Sequence, residues 1–158
     1  YVNGVFNYFD NFSLSYNPAI NYTYKNWLAV NIAYNQTYNS YRQKGADAID
    51  LANSVSRSEL SVSVNGTKKL TISSNAVYAK NTYNGAQKTT FTIWNASALY
   101  RLFKGNTAEI KFSALDMLHQ NTGLINYGVN NSITQGTVNA LQQYFMVTLS
   151  WFPRKFGK

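Results

Sequence analysis

The chain has 158 residues, with 14 Lys and Arg against 6 Asp and Glu, a net charge of +8 and no cysteine. That length suffices for one domain with a real core, and the missing thiols exclude a disulfide framework, a thiolate metal site and a cysteine nucleophile. Charged residues are only 13% against 16% aromatics, and no run of about 18 apolar residues exists to form a membrane-spanning helix. The first residue is Tyr1 with no signal-peptide pattern behind it, which reads as a processed product or a piece of something longer.

Alternation runs through almost the whole chain. In "NFSLSYNPAINYTY" the even positions are Phe12, Leu14, Tyr16, Pro18, Ile20, Tyr22 and Tyr24, while the odd ones are Asn, Ser, Ala and Thr. Successive side chains of a strand face opposite ways, so this is one long two-faced strand. Leu28, Val30, Ile32 and Tyr34 continue the even apolar face, followed by Leu60, Val62 and Val64, then by Leu70, Ile72, Ala76 and Tyr78. Trp94, Ala96, Ala98, Tyr100 and Leu102 mark a fifth segment whose start, at Phe91 and Ile93, breaks parity; Ile110, Phe112 and Ala114 mark a sixth. The closing stretch "YFMVTLSW" places Phe145, Val147, Leu149 and Trp151 on one side and Tyr144, Met146, Thr148 and Ser150 on the other.

Short links alternate with long ones. Lys25-Asn26-Trp27, Gly66-Thr67-Lys68 and Lys104-Gly105-Asn106 preserve parity, as three-residue hairpin loops require, whereas the links near 39–53, 81–88 and 120–136 are longer and rich in Gly, Asn, Ser and Thr. A hairpin unit of about 40 residues with one short and one long end is the layout of an antiparallel transmembrane β-barrel, with short periplasmic turns and long outer loops. The expected fold is therefore all-β, about seven strands of such a barrel, with the apolar face against lipid. Lys25, Lys68, Lys69, Arg101, Lys104, Arg154, Lys155 and Lys158 fall at the short-turn rim or the tail, where they can meet lipid phosphates. Tyr22, Tyr24, Trp27, Tyr100, Phe103, Trp151 and Phe152 gather at that level, and Tyr34, Tyr38, Tyr78, Tyr83 and Trp94 at the other, as two interfacial girdles.

Because the basic residues cap strands rather than line a face, nucleic acid is not an expected partner. The sequence offers little for catalysis: His119 is the single histidine, the acids are scattered, and the near pair Asp47 and Asp50 reads as a capped helical turn rather than a metal site. No enzymatic activity, cofactor or metal is expected. With a turn centred on Gly105, Arg101 and Glu109 fall opposite one another on the odd face, with Lys111 one step further. The other lumen-facing polar candidates are Asn17, Asn31, Ser61, Ser63 and Ser73, together with Asn11, Ser13, Thr71 and Thr148.

The run "YRLFKGNTAEIKFSALDMLHQNTGLI", followed by "NALQQYFMVTLSWFPRKFGK", resembles the C-terminal end of outer-membrane β-barrel proteins related to TonB-dependent receptors. Leu115-Asp116-Met117-Leu118-His119-Gln120-Asn121 matches one family motif, with His119 where Asn is usual, and Gln142-Gln143-Tyr144-Phe145-Met146 matches another, with Gln143 where Arg is common. The resemblance spans roughly Tyr100 to Lys158 and is only compositional before that. It implies an assembly signal at Tyr144, Phe145, Leu149, Trp151 and Phe152, read by the barrel-assembly machinery of a Gram-negative outer membrane. It also implies an N-terminal plug, further barrel strands and TonB-type energy coupling for nutrient uptake, none of them visible in these residues.

Strand counting favours the C-terminal part of a larger barrel, because an odd count puts the chain's two ends on opposite sides of the membrane. A split at Asp10-Asn11 gives the alternative, a self-contained eight-stranded barrel with an adhesive or structural role. A soluble carbohydrate-binding β-sandwich is the third reading.

Overall fold

The computed structural model describes residues 8–44, 49–85, 87–103, 105–121, 124–129, 132–137 and 141–152. The strands are β1 (Tyr8–Tyr16), β2 (Ala19–Tyr24), β3 (Leu28–Lys44), β4 (Ile49–Asn65), β5 (Leu70–Tyr83), β6 (Gln87–Leu102), β7 (Ala108–Leu115), β8 (Leu124–Val129), β9 (Ser132–Thr137) and β10 (Tyr144–Trp151). Eight of them form one antiparallel sheet in the order β1-β3-β4-β5-β6-β7-β10, with β2 also on β3; β8 and β9 pair as a separate hairpin. Among the described residues there is no helix.

The long first strand is continuous in register but interrupted in hydrogen bonding. Tyr16 opposes Gln36 and Ala19 opposes Ala33, so β1 and β2 follow one alignment along β3. Tyr34 N–H donates to the Pro18 carbonyl at 2.9 Å, and proline has no N–H to return. The ladder therefore loses one bond at Pro18 while the strand keeps its direction. The register also runs unbroken through Asp10, opposite Arg42, and Asn11, opposite Tyr41, which removes the split required by the eight-stranded alternative.

Register sorts the side chains into two faces. Tyr24, Leu28, Val64, Ile72, Ala98, Phe112 and Val147 are successive cross-strand neighbours, an apolar row crossing the whole sheet. On the other face the matching row is Thr23, Ala29, Ser63, Ser73, Ser97, Ser113 and Met146. The apolar face is uncovered: Ile72 is 48% exposed, Phe112 53% and Val147 62%.

Toward the long-loop end the faces exchange character. Gln36, Ser56, Lys80 and Thr90 form an even-numbered row, followed by Tyr38, Ser54, Thr82 and Lys88, whereas Val77 pairs with Ile93 and Ala79 with Phe91 on the odd face. Val77 and Ala79 belong to the small buried set. Phe91 and Ile93 thus break parity because the sheet inverts its polarity there.

The short turns near Asn26, Thr67 and Gly105 share one end of this meander, and the other connections share the opposite end. Tyr24 opposite Leu28 leaves a three-residue turn, and the second link is Gly66–Lys69, one residue longer than expected. The links expected at 39–53 and 81–88 are mostly strand: β3 runs to Lys44 and β4 starts at Ile49, while β5 ends at Tyr83 and β6 starts at Gln87. Backbone pairing and an exposed Arg42–Asp50 ion pair at 3.1 Å extend the β3–β4 ladder where apolar alternation has ceased. Asp50 therefore belongs to a strand, and Asp47 lies outside the described residues.

The sheet is open. Among the described residues β10 pairs with β7 alone, and the outer side of β1 and β2 has no neighbour. These strands do not close into a barrel: the edges formed by β1 with β2 and by β10 lie at opposite ends of the strand order. One layer exposing both faces, with no large side chain fully buried among the described residues, is also not the two-layer packing of a sandwich.

Candidate functional site

The polar face holds a groove of about 490 Å³ lined by Asn21, Asn31, Ser61, Ser63, Ser73, Asn75, Asn95, Ser97, Lys111 and Ser113, among others. Of the residues expected to face a lumen, Asn31, Ser61, Ser63, Ser73 and Lys111 come together here. Asn31 Nδ2 donates to Asn21 Oδ1 at 2.6 Å, the Ser63 and Ser73 hydroxyls lie 3.2 Å apart, and Asn75 Nδ2 donates to Glu59 Oε1 and Ser61 Oγ, both at 2.8 Å. Further along, Asn35 Nδ2 donates to Asn17 Oδ1, Ser13 Oγ to Asn39 Oδ1 at 2.8 Å, and Ser15 and Thr37 meet at 2.6 Å.

A geometric rule underlies this ladder. The bond from Tyr34 N to Pro18 O makes the even pairs of β2 and β3 the hydrogen-bonded ones, and the bond from Arg101 N to Lys69 O does the same for odd pairs of β5 and β6. Asn21–Asn31, Ser13–Asn39 and Ser15–Thr37 therefore occupy non-hydrogen-bonded positions, where Cα atoms approach to about 4.5 Å and short polar side chains reach each other. A small amide or hydroxyl on that face is satisfied by its neighbour and still offers remaining lone pairs and protons to the groove.

Arg101 and Glu109 oppose each other as the turn geometry requires. Arg101 Nε donates to Glu109 Oε1 at 3.1 Å, and Nη1 to Thr71 Oγ1 at 3.4 Å. Both side chains are partly covered, at 31% and 23% exposure, which puts the pair near the upper part of the roughly 0 to 1 kcal/mol range of accessible ion pairs. Lys111 opposes Leu99 and Thr148 and forms no ion pair among the described residues.

The closing strand presents Phe145, Leu149 and Trp151 on the apolar face with more than 70% of each exposed. Tyr144 opposes Leu115 on the polar side, and Phe152 N–H extends the ladder to the Thr107 carbonyl at 2.8 Å. Among the described residues no second layer covers these rings.

Sequence reasoning did not identify what Asp116 does. The residue has φ 48° and only 3% exposure. Its carboxylate accepts from the backbone N–H of Gln120 at 3.0 Å and of Asn121 at 2.9 Å, and its own N–H donates to Asn95 Oδ1 at 2.9 Å. The turn is tied outward as well: Thr92 N donates to Gln120 Oε1, Met117 N to the Trp94 carbonyl, and Gln143 Nε2 to the Met117 carbonyl. His119, at φ 54°, is an exposed member of this turn. An acid followed at four and five residues by turn amides is the usable signal. Among the described residues no group of three His, Cys, Asp or Glu is arranged to hold a metal. The chain matches no family model, no curated protein and no solved structure.

Proposed function

We propose that this chain forms part of the wall of an outer-membrane β-barrel transporter of the TonB-dependent receptor type, taking up a nutrient across the outer membrane of a Gram-negative bacterium. The observation that carries the reading is the uninterrupted apolar row from Tyr24 to Val147, exposed at Tyr24, Ile72, Phe112 and Val147, half-buried at Leu28, Val64 and Ala98, and backed by a row dominated by Ser and Thr. Lipid is the solvent that tolerates such a face over one layer of strands. The polar groove then belongs to the lumen, where amides and hydroxyls meet solute, water or a plug. The open edges support a larger barrel whose remaining strands, plug and TonB contact come from outside these residues. The TonB assignment itself rests on the motifs around Asp116 and Tyr144.

The reading is tested by single cysteines in intact cells. Asn84→Cys, at the long-loop end, is expected to react with a membrane-impermeant maleimide, whereas Thr67→Cys, at the short-turn end, reacts only after the outer membrane is permeabilised. Equal labelling of both overturns the topology.

A further inference from the structure

At the short-turn end, Lys25 of the β2–β3 turn, Lys68 of the β4–β5 link and Arg101 of β6 surround one hollow of about 590 Å³, completed by Asn26, Trp27, Asn65 and Thr67. Among the described residues no carboxylate lines it. Glu109 answers Arg101 from the side, but Lys25 and Lys68 have no ion pair among the described residues. Gathering cations around a hollow is unfavourable unless an anion enters it.

The hollow is held in shape by the backbone around it. Asn65 joins two turns: its N–H donates to the Trp27 carbonyl at 2.7 Å, its Nδ2 donates to the Asn26 carbonyl at 3.0 Å, and its Oδ1 accepts from the Thr71 hydroxyl at 2.8 Å. Thr67 Oγ1 accepts from the N–H groups of Lys69 and Leu70, both at 3.1 Å, fixing the second link, and Arg101 N–H fastens that link to β6 through the Lys69 carbonyl at 2.8 Å. The guanidinium is oriented by Glu109 and Thr71, with Nη2 free of partners among the described residues.

We propose that this hollow binds the phosphate of an anionic phospholipid headgroup. Ammonium groups and a guanidinium are the donors that suit a phosphate oxyanion. The surroundings select a lipid source over a soluble one. Lys25 Nζ lies 5.3 Å from the centroid of the Tyr24 ring, and Tyr24 meets Trp27 edge-on at 5.8 Å. Tyr24 begins the apolar row through Leu28, Val64 and Ile72, so Lys25 stands beside the surface that acyl chains cover, with an aromatic pair at the boundary, while Arg101 reaches the hollow from the polar face at the rim. The lipid source rests on the membrane reading above; the phosphate chemistry does not.

The test measures retention of phosphatidylglycerol by the purified protein in detergent micelles, using native mass spectrometry, with insertion into phosphatidylcholine bilayers scored separately by protease protection. Lys25→Gln with Lys68→Gln is expected to weaken phosphatidylglycerol binding about 30-fold, while the same charge change at the far end, Lys80→Gln with Lys88→Gln, alters it less than about threefold. Millimolar inorganic phosphate is expected not to displace the lipid. Equal losses in the two double variants, or undiminished binding by the rim variant in protein that inserts normally, overturn the site alone. Displacement by inorganic phosphate at millimolar concentration overturns the lipid source. Failure to insert overturns the membrane reading together with the lipid source, which separates it from failure of the site.

Discussion

At Asp116 the backbone enters the left-handed region, and the carboxylate folds back to accept two amides of the turn it begins. An Asp pays less than most residues for that conformation, since its short polar side chain bonds locally. Replacing it with Ala leaves two turn amides without their acceptor, at about 1 to 3 kcal/mol each when water cannot reach them. We expect Asp116→Ala to lower stability by about 2 to 4 kcal/mol, and to raise hydrogen-exchange rates at the Gln120 and Asn121 amides before those of mid-strand amides. Unchanged exchange at these two positions contradicts the capping role. The contrast with Arg101 and Glu109 shows what is readable at this scale. A hairpin centred on Gly105 fixes which residues are opposite, so that pair was legible from spacing. The role of Asp116 depends on one backbone angle and on Asn95 reaching over from β6, and neither is encoded as a period.

At the scale of the strand, parity carried most of the information. It located the apolar faces of β2 to β7 and β10 and the residues opposite them, because a period of two leaves one choice of face. It did not locate strand ends, since beyond Tyr34 and Leu60 both faces contain polar residues and the backbone keeps pairing with only isolated apolar pairs such as Tyr41 and Leu51. Pro18 was readable as part of a strand, but not which of its sides lacks a donor. Val62 and Ser63 are adjacent residues that test the facing directly. Val62→Arg is expected to cost about 2 to 4 kcal/mol in reversible bilayer unfolding if it sits near the midplane. Ser63→Arg, pointing into the groove, is expected to remain within about 1 kcal/mol of the parent. The reverse ranking means that the polar face meets lipid.

For the whole molecule the decisive feature is the pair of edges left without a neighbour among the described residues. The bonds from Tyr34 to Pro18 and from Phe152 to Thr107 commit even residues of β2 and β10 to their inner neighbours, so odd residues turn their N–H and C=O groups outward on both edges. Pro18 is even, so its missing donor leaves the outer edge intact from Phe9 to Thr23. An uninterrupted edge of this length is a template for further strands. Deleting residues 151–158, with Trp151 and the end of the closing strand, is expected to abolish assembly into the outer membrane, measured by membrane fractionation and heat-modifiable migration. Correctly inserted protein after that deletion removes the assembly-signal role. The architecture as strands and faces was legible; closure was not, because parity sets which way side chains face and not how far a sheet curves. The exchange of polarity along β3 to β6 has its own consequence in the proposed setting. From Tyr34 to Lys44 the ladder of β3 continues past the apolar band, which at about 3.4 Å per residue and a tilt near 40° lifts paired sheet roughly 25 Å above the bilayer. Such a structure is a stiff collar rather than a fringe of loops, polar outside along β3 to β6 with Phe12, Leu14 and Tyr16 of β1 beside it, and furnished within by Val77, Ile93, Ala79 and Phe91 among amides. An arriving solute would meet a fixed mouth, with Phe91 and Ile93 partly open to it, well before it reached the membrane.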